Sequence, residues 1–537
     1  MSDLDNIDVC ALRLQGSAQF TTEPRAARPI PVWPGSGASA GIRQAIVSVL
    51  AGCALASCAV GPNFKPPAAP ATKGYVAGEL PASTVASDAE GGTAQRYVEG
   101  LDIPGQWWTL FQSPQLNALI DRALARSPTL EAAHAALRQA NEALAAQRGS
   151  FFPAVSGSVG AQRSKSSGAA FGQPQLGSYY YTLNSASVNV SYGIDAFGGT
   201  RRQIEALQAQ SDYERYALEA SYLSLTANIV TTALGEASVR AQIAATELIA
   251  RSQQTQLEIV ERRLKAGGAS RADLAQQQAT LAATLASLPP LRNQLAQFRN
   301  QLATYTGDMP ADFQGGAVTL DSLTLPADLP VSLPSKLVEQ RPDVREYSAL
   351  LHAATAQVGV ATANMLPQLT LSGSFGGEAV KFSDVFNPGS VVWTIAGSVT
   401  QPIFRGGQLL HQRRAAVAAA QQAAANYKST VLIAFQNVSD TLTALQQDAD
   451  AFAASATAER AAAVSLDLVR VQYRSGAASY VQVLSAEQSY QTAAIALVKA
   501  RAQRYADTAA LFQALGGGWW NRRDIDSNSS DCCKGHT

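Results

Sequence analysis

Aromatic residues make up only 7% of this chain, and it holds four histidines and five cysteines. No uncharged apolar run reaches the roughly 18 residues that a membrane-crossing helix needs. Lysine plus arginine equals aspartate plus glutamate at 41 each, so no basic field marks a nucleic-acid binder. The scattered histidines lack metal-ligand spacing, and the few cysteines do not make a disulfide framework. Nor is there a paired acid and base, a nucleophile elbow or a phosphate loop in a plausible context. The sequence therefore points away from an enzyme, a cofactor and a metal.

What is present is alternation. In Val188-Asn189-Val190-Ser191-Tyr192-Gly193-Ile194-Asp195 the apolar residues share one face of a strand and the polar residues share the other. Upstream, Phe151, Val155 and Val159 alternate with Ala154, Ser156, Ser158 and Gly160. Two strands of about ten residues flanking a Gly/Ser/Tyr-rich loop fit a tilted transmembrane β-hairpin. The pattern returns after Leu366: Leu369, Leu371 and Phe375 stand opposite Thr370, Ser372 and Ser374. Val391, Trp393, Ile395 and Val399 then stand opposite Thr394, Ala396, Ser398 and Thr400. Four strands are too few to close a barrel, and open edges are not tolerated in lipid. Further copies of the same chain are the simplest completion.

Between the strands the sequence is helical. Ser113-Pro114 starts a helix from Leu116 to about Gln147, interrupted by Pro128. Thr200 to Lys265 has no proline and only Gly235 as a breaker, which predicts a helix nearly 100 Å long at about 1.5 Å per residue. Gly267, Gly268 and Ser270 end it and start the next. Leu291, Leu295, Phe298, Leu302 and Tyr305 form a coiled-coil seam, with a kink expected at Pro289-Pro290. After a Pro/Asp/Gly/Leu-rich connection the cycle restarts, and Gly476 to Ser479 repeats the turn at Gly267 to Ser270. The chain is thus an internal duplication. The two shorter helices of each half together match the length of its long one, so each half would carry a hairpin above a two-column coiled coil.

The amino terminus carries a short apolar run, Ala45 to Ala56, behind Arg43. It ends in Leu55-Ala56-Ser57-Cys58, which resembles a bacterial lipoprotein signal with Cys58 as the lipid-modified residue. Leu50-Ala51-Gly52-Cys53 fits the same pattern but leaves a shorter apolar region. The expected division is a non-native extension plus signal over 1–57 and a lipidated leader over 58–105. A first repeat over 106–306 holds a hairpin at 151–195 and a tip at 266–270. A linker at 307–335 leads to a second repeat over 336–515, with a hairpin at 367–402 and a tip at 475–479, and a disordered tail fills 516–537.

Several blocks, taken together and in order, carry a family likeness: CAVGPNFKPP, WWTLFQSPQLNALIDRAL, LPSKLVEQRPDVREYSALLHAATAQVGVATANMLPQL, QPIFRGGQL and YRSGAASYVQVLSAEQSY. The chain resembles the TolC-like outer membrane factors, specifically the NodT-type lipoproteins of RND efflux systems. The resemblance implies a membrane α+β fold: a homotrimer whose twelve strands, four per chain, close one β-barrel in the outer membrane above a periplasmic α-helical barrel. It also implies passive export, with a periplasmic adaptor and an inner-membrane RND pump as partners. The alternative is the exit duct of a type I protein secretion system.

On this reading Asn189, Ser191, Thr370, Ser372, Thr394 and Ser398 line the pore. The gate and adaptor contact sit at the tips, with Gly267, Gly268, Ser270, Asp273, Gly476, Ser479, Ser485 and Glu487 as candidates. The family often has an aspartate at the position of Ser485 and an arginine at that of Gln488, so this chain departs from its charge pattern there. Pro153, Phe197, Gly198, Pro367, Pro402, Phe404, Gly406 and Gly407 are expected to turn the chain between strands and helices.

Overall fold

The computed structural model describes residues 59–522 apart from 73, 173, 174 and 176. Cys53, Cys58 and the signal lie outside the described residues, as does the tail beyond Arg522.

The first half runs through β1 (Arg96–Glu99), a 3₁₀ turn at Trp107–Phe111, α1 (Pro114–Arg126) and α2 (Pro128–Arg148). It continues through β2 (Ala154–Ser167), β3 (Ser178–Ile194), α3 (Gly199–Lys265), α4 (Arg271–Ala286) and α5 (Leu288–Tyr305). The second half follows with β4 (Asp328–Val331), α6 (Pro334–Gln340), α7 (Pro342–Ala363), β5 (Gln368–Ala379) and β6 (Val391–Thr400). It closes with α8 (Gln408–Arg474) and α9 (Tyr480–Ala514).

The duplication is visible in the long helices. Both α3 and α8 have 67 residues; they start at 199 and 408 and end at 265 and 474, so both ends are offset by 209. At about 1.5 Å per residue each is about 100 Å long. Local chemistry sets the breaks. Ser113 accepts a hydrogen bond from the Leu116 N–H at 3.4 Å to cap α1. Extended Ser127 separates α1 from α2, and Pro128 opens the new helix.

One expectation is revised here. Pro289-Pro290 does not kink a continuous helix: the chain breaks at Ser287, and the prolines occupy the first turn of α5, where no intrahelical N–H donor is required. Gly235 leaves α3 unbroken, as the continuous helix expected from Thr200 to Lys265 requires. A Cβ there would lie 2.7 Å from the Phe298 ring, so the missing side chain lets α5 close against α3.

The core lies in a belt around the middle of the helices. β1 and β4 pair in parallel there, from Arg96 opposite Asp328 to Glu99 opposite Val331. Trp107, Trp108, Phe111, Leu116 and Ile120 are buried with Ile229 and Val230 of α3 and with Leu511 and Phe512 of α9. Trp107 stacks on Phe512 with ring centroids 5.5 Å apart.

The belt also corrects the expected start of the disordered tail. Residues 516–522 are packed: Trp519 Nε1 donates to the Gln340 carbonyl at 2.6 Å and Trp520 Nε1 to Asp102 at 3.0 Å. Arg522 pairs with Glu219 at 2.8 Å. Two indoles and a guanidinium find partners on other elements, which composition alone could not show.

Candidate functional site: the strand wall and the helix tips

All four long strands join one antiparallel sheet in the order β2-β3-β5-β6. The two hairpins meet along β3 and β5, and β2 and β6 are left as edges. Register sorts the faces, because residues directly opposite across strands share a side. Val155 stands opposite Val190, Val188 opposite Phe375, Phe375 opposite Trp393, and Leu369 opposite both Ile194 and Val399. This face is apolar and uncovered: Trp393 is 66% exposed and Ile395 81%.

The other face brings every pore-lining candidate together. Ser191 lies opposite Ser372, Asn189 opposite Ser374, Ser374 opposite Thr394, and Thr370 opposite Ser398. Hydroxyls and amides there bond one another: Ser158 and Ser187 hydroxyls lie 2.9 Å apart, and Asn189 Nδ2 donates to Ser158 Oγ at 3.1 Å.

The first hairpin is longer than its alternation indicates. β2 has 14 residues and β3 has 17, because the tyrosine-rich stretch expected in the loop pairs as strand, with Tyr180 opposite Lys165. Tyrosine favours strands, and no proline interrupts it. Phe151, counted with the strand, sits instead in a 3₁₀ turn before it.

The junction residues behave as turn chemistry dictates. Pro153 and Pro367 each immediately precede a strand, and Pro402 follows β6. Gly198 (φ 77°) and Gly407 (φ 83°) cap α3 and α8, and Gly406 (φ 56°) is also left-handed. The sequence reading missed Asp195 as a cap: its carboxylate accepts from the Thr200 and Arg201 N–H groups at 3.1 and 3.0 Å. An aspartate five residues before a proline-free helix was the available signal. Phe404 is 87% exposed at the foot of the sheet.

At the opposite end of the long helices the two tips are built alike. Gly267 (φ 77°) and Gly476 (φ 79°) turn the chain, while Gly268 donates its N–H to the Arg263 carbonyl at 2.7 Å. Ser270 and Ser479 then cap the returning helices, in capping boxes with Asp273 and Gln482 respectively. The Asp273 carboxylate accepts from the Ser270 N–H at 2.8 Å. An amide does the same work at the second tip, so that cap does not depend on charge.

Glu487 is placed differently from Asp273. It is buried and its Oε1 lies 3.0 Å from Arg470 Nη2, which also donates to Ser252 of α3 at 2.8 Å. The Tyr480 hydroxyl bonds Gln277, whose Nε2 donates to the Gln253 carbonyl at 2.8 Å. Burial, with Glu487, Tyr473 and Asp273 adding to it, pushes the Tyr480 phenol above its ordinary range. Arg263 lies over the Tyr473 ring, 4.5 Å from its centroid, and joins the two tips. Ser485 is exposed. Polar contacts thus bind α3, α4, α8 and α9 into one cluster that spans both halves, and α8, α9 and α3 meet at Arg470.

Among the described residues no helix is long and apolar enough to cross a membrane, and no cluster of metal-binding side chains occurs. A sheet with one apolar and one polar face, carried on helices of about 100 Å, fits the wall of a membrane channel. The comparisons agree. Residues 119–308 and 333–517 match the family described as outer membrane efflux protein, one segment in each half. The pyoverdine export outer membrane protein OpmQ of Pseudomonas aeruginosa is 31% identical over 78% of this chain and 88% of its own length. The cation efflux system protein CusC of Escherichia coli K12 is 26% identical over 87% of this chain and 97% of its own. The solved outer-membrane channel OprN superposes with a TM-score of 0.77 at 26% identity, covering 86% of this chain and all of that one.

The chain belongs to the outer membrane efflux protein family. It is accordingly an outer-membrane transport protein of a Gram-negative cell and not an enzyme.

Proposed function

We propose that three copies of the chain form the exit duct of a tripartite RND-type efflux system. The duct passively conducts small molecules from a periplasmic adaptor and an inner-membrane pump to the exterior. The observation that carries this reading is the face-sorted sheet with two unpaired edges, β2 and β6. Every neighbouring pair within it is antiparallel, so the two edges run in opposite directions. Rotation about an axis along the strands then sets β6 of one copy beside β2 of the next, antiparallel again. Repetition closes the ring without an edge. Three copies of four strands give a wall of about twelve, within the usual range of such barrels.

Apolar side chains such as Trp393 and Ile395 then meet lipid, and Asn189, Ser191, Thr370, Ser372, Thr394 and Ser398 face water. Tyr180 at one end and Phe152 and Phe404 at the other supply interfacial aromatics. The helices stand in the periplasm. Cys58 is the lipid-modified residue, and the tips at Gly267, Gly268, Ser270 and Asp273 and at Gly476, Ser479, Ser485 and Glu487 form the gate and the adaptor contact. Small residues there permit the close approach that a shut aperture needs.

The test is to crosslink cells, purify the complex in detergent, weigh it and record conductance in planar bilayers. A trimer that carries adaptor and pump and conducts ions is the expected result. Release from membranes by salt alone, or a monomer as the only folded species, would overturn it.

A further inference from the structure

The residues just after the expected lipid-bearing cysteine are held by a site of their own. Arg202, in the first turn of α3, is only 3% exposed. Its Nε donates to the Val60 carbonyl at 3.1 Å, and its Nη2 donates to Asn63 Oδ1 at 2.6 Å and to the Ala59 and Gly61 carbonyls at 3.4 and 3.3 Å. Its Nη1 pairs with Glu205 at 2.6 Å. The Val60 N–H donates to the Phe197 carbonyl at 3.1 Å. Beyond it, Phe64 stacks on His352 of α7 with centroids 4.3 Å apart, and His352 Nε2 lies 2.9 Å from Glu205.

Missing side chains cut the groove to fit. A Cβ on Gly198 would lie 2.5 Å from the Ala59 Cα. A Cβ on Gly359 would lie 2.9 Å from the Val60 carbonyl oxygen and 2.8 Å from Arg202 Cγ. A Cβ on Gly61, whose φ is +94°, would lie 2.4 Å from the Gly359 Cα. Energetics point the same way. A buried guanidinium is costly unless its donors are satisfied, and apart from Glu205 the acceptors of this one all come from residues 59–63.

We infer that Arg202, with the groove between Gly198 and Gly359, is a docking site for residues 59–64 that fixes the lipid anchor at the foot of the sheet. The inference rests on the reading of Cys58 as the lipidated residue. Ala59 lies against Gly198, at the turn between β3 and α3, so acyl chains on the preceding residue leave the protein at that level. An anchor on Cys53 would stand five residues further along the chain from Ala59.

Two variants of the full-length protein in its native membrane test this. Gly359→Ala suits a helix better than glycine and fills the groove, while Arg202→Gln removes the charged donors. Hydrogen exchange of the amides at 60–64 is expected to quicken by at least about tenfold in both, with belt amides such as those of α1 unchanged. Unchanged exchange at 60–64 in Gly359→Ala would overturn the docking site, whatever Arg202→Gln does to folding. The mass of the wild-type amino-terminal peptide tests the underlying reading separately: an unacylated Cys58 overturns the anchor-setting role and leaves the exchange result standing on its own.

Discussion

The Arg470 guanidinium lies 3.0 Å from the Glu487 carboxylate, whose side chain is 3% exposed, and this contact joins the two helices that meet at the second tip. Arg470→Ala strands that carboxylate. Its cost is on the order of 2–3 kcal/mol, below that of breaking a fully buried pair because Arg470 keeps some exposure. Glu487→Gln should cost less, since an amide can still accept from Arg470. The ratio of the two losses can be read from denaturation midpoints. On the gate reading Arg470→Ala also raises the open time in bilayers; an unchanged open time would separate this pair from the gate.

The two faces of the sheet should answer oppositely to charge. Trp393→Arg sets a guanidinium on the apolar face and is expected to cost about 2–4 kcal/mol if that face lies near the bilayer midplane. Ser372→Arg, on the polar face, should leave stability nearly unchanged and reduce cation conductance. Equal loss of folded protein from both would mean that neither face meets lipid.

Stability should fall as pH rises towards neutrality. Burial, reinforced by Asp507, raises the Asp448 carboxyl to about 7 against the opposing pull of Arg504. Burial with Asp343 and Glu214 nearby likewise raises Glu346 to about 7. Between the ordinary carboxyl values and about 7 the folded chain holds protons that the unfolded chain has released, so the slope is negative. Melting midpoints should therefore drop from pH 5 to pH 8, and Asp448→Asn with Glu346→Gln should flatten the curve. A midpoint that climbs over this interval contradicts the assignment.

Gly235→Ala makes a sharper test of packing than its size implies. Alanine suits a helix better by about 1 kcal/mol, yet the new methyl would meet the Phe298 ring at 2.7 Å. Overpacking of this kind costs about 1–3 kcal/mol. Net destabilisation is expected, and Phe298→Leu alongside it should restore part of the loss.

Much of this was legible in the sequence, because its signals are periodic. Alternation at Val188–Asp195 and Leu369–Thr400 gave the sheet and its faces, and the proline-free stretches gave both 67-residue helices. What escaped depends on distant partners. β1 has four residues and no pattern of its own; its strand character comes from β4, more than 200 positions away. Glu487 is expected from sequence as a tip charge, whereas its burial depends on Arg470, 17 positions away on another helix. Nothing local to Arg202 tells that the leader's carbonyls converge on it.

The belt has a consequence for how the protein is made. Gln95 donates to Thr508 at 3.1 Å, across 413 positions, and Trp520 to Asp102 across 418. Hairpins and helices can form as the chain emerges from the translocon, because their partners are near in sequence. The girdle cannot be fastened until the last turn of α9 arrives. A polypeptide cut short between Thr400 and Thr508 would own every strand of the sheet and still lack the clasp, so the girdle is the part of the fold that registers a complete chain.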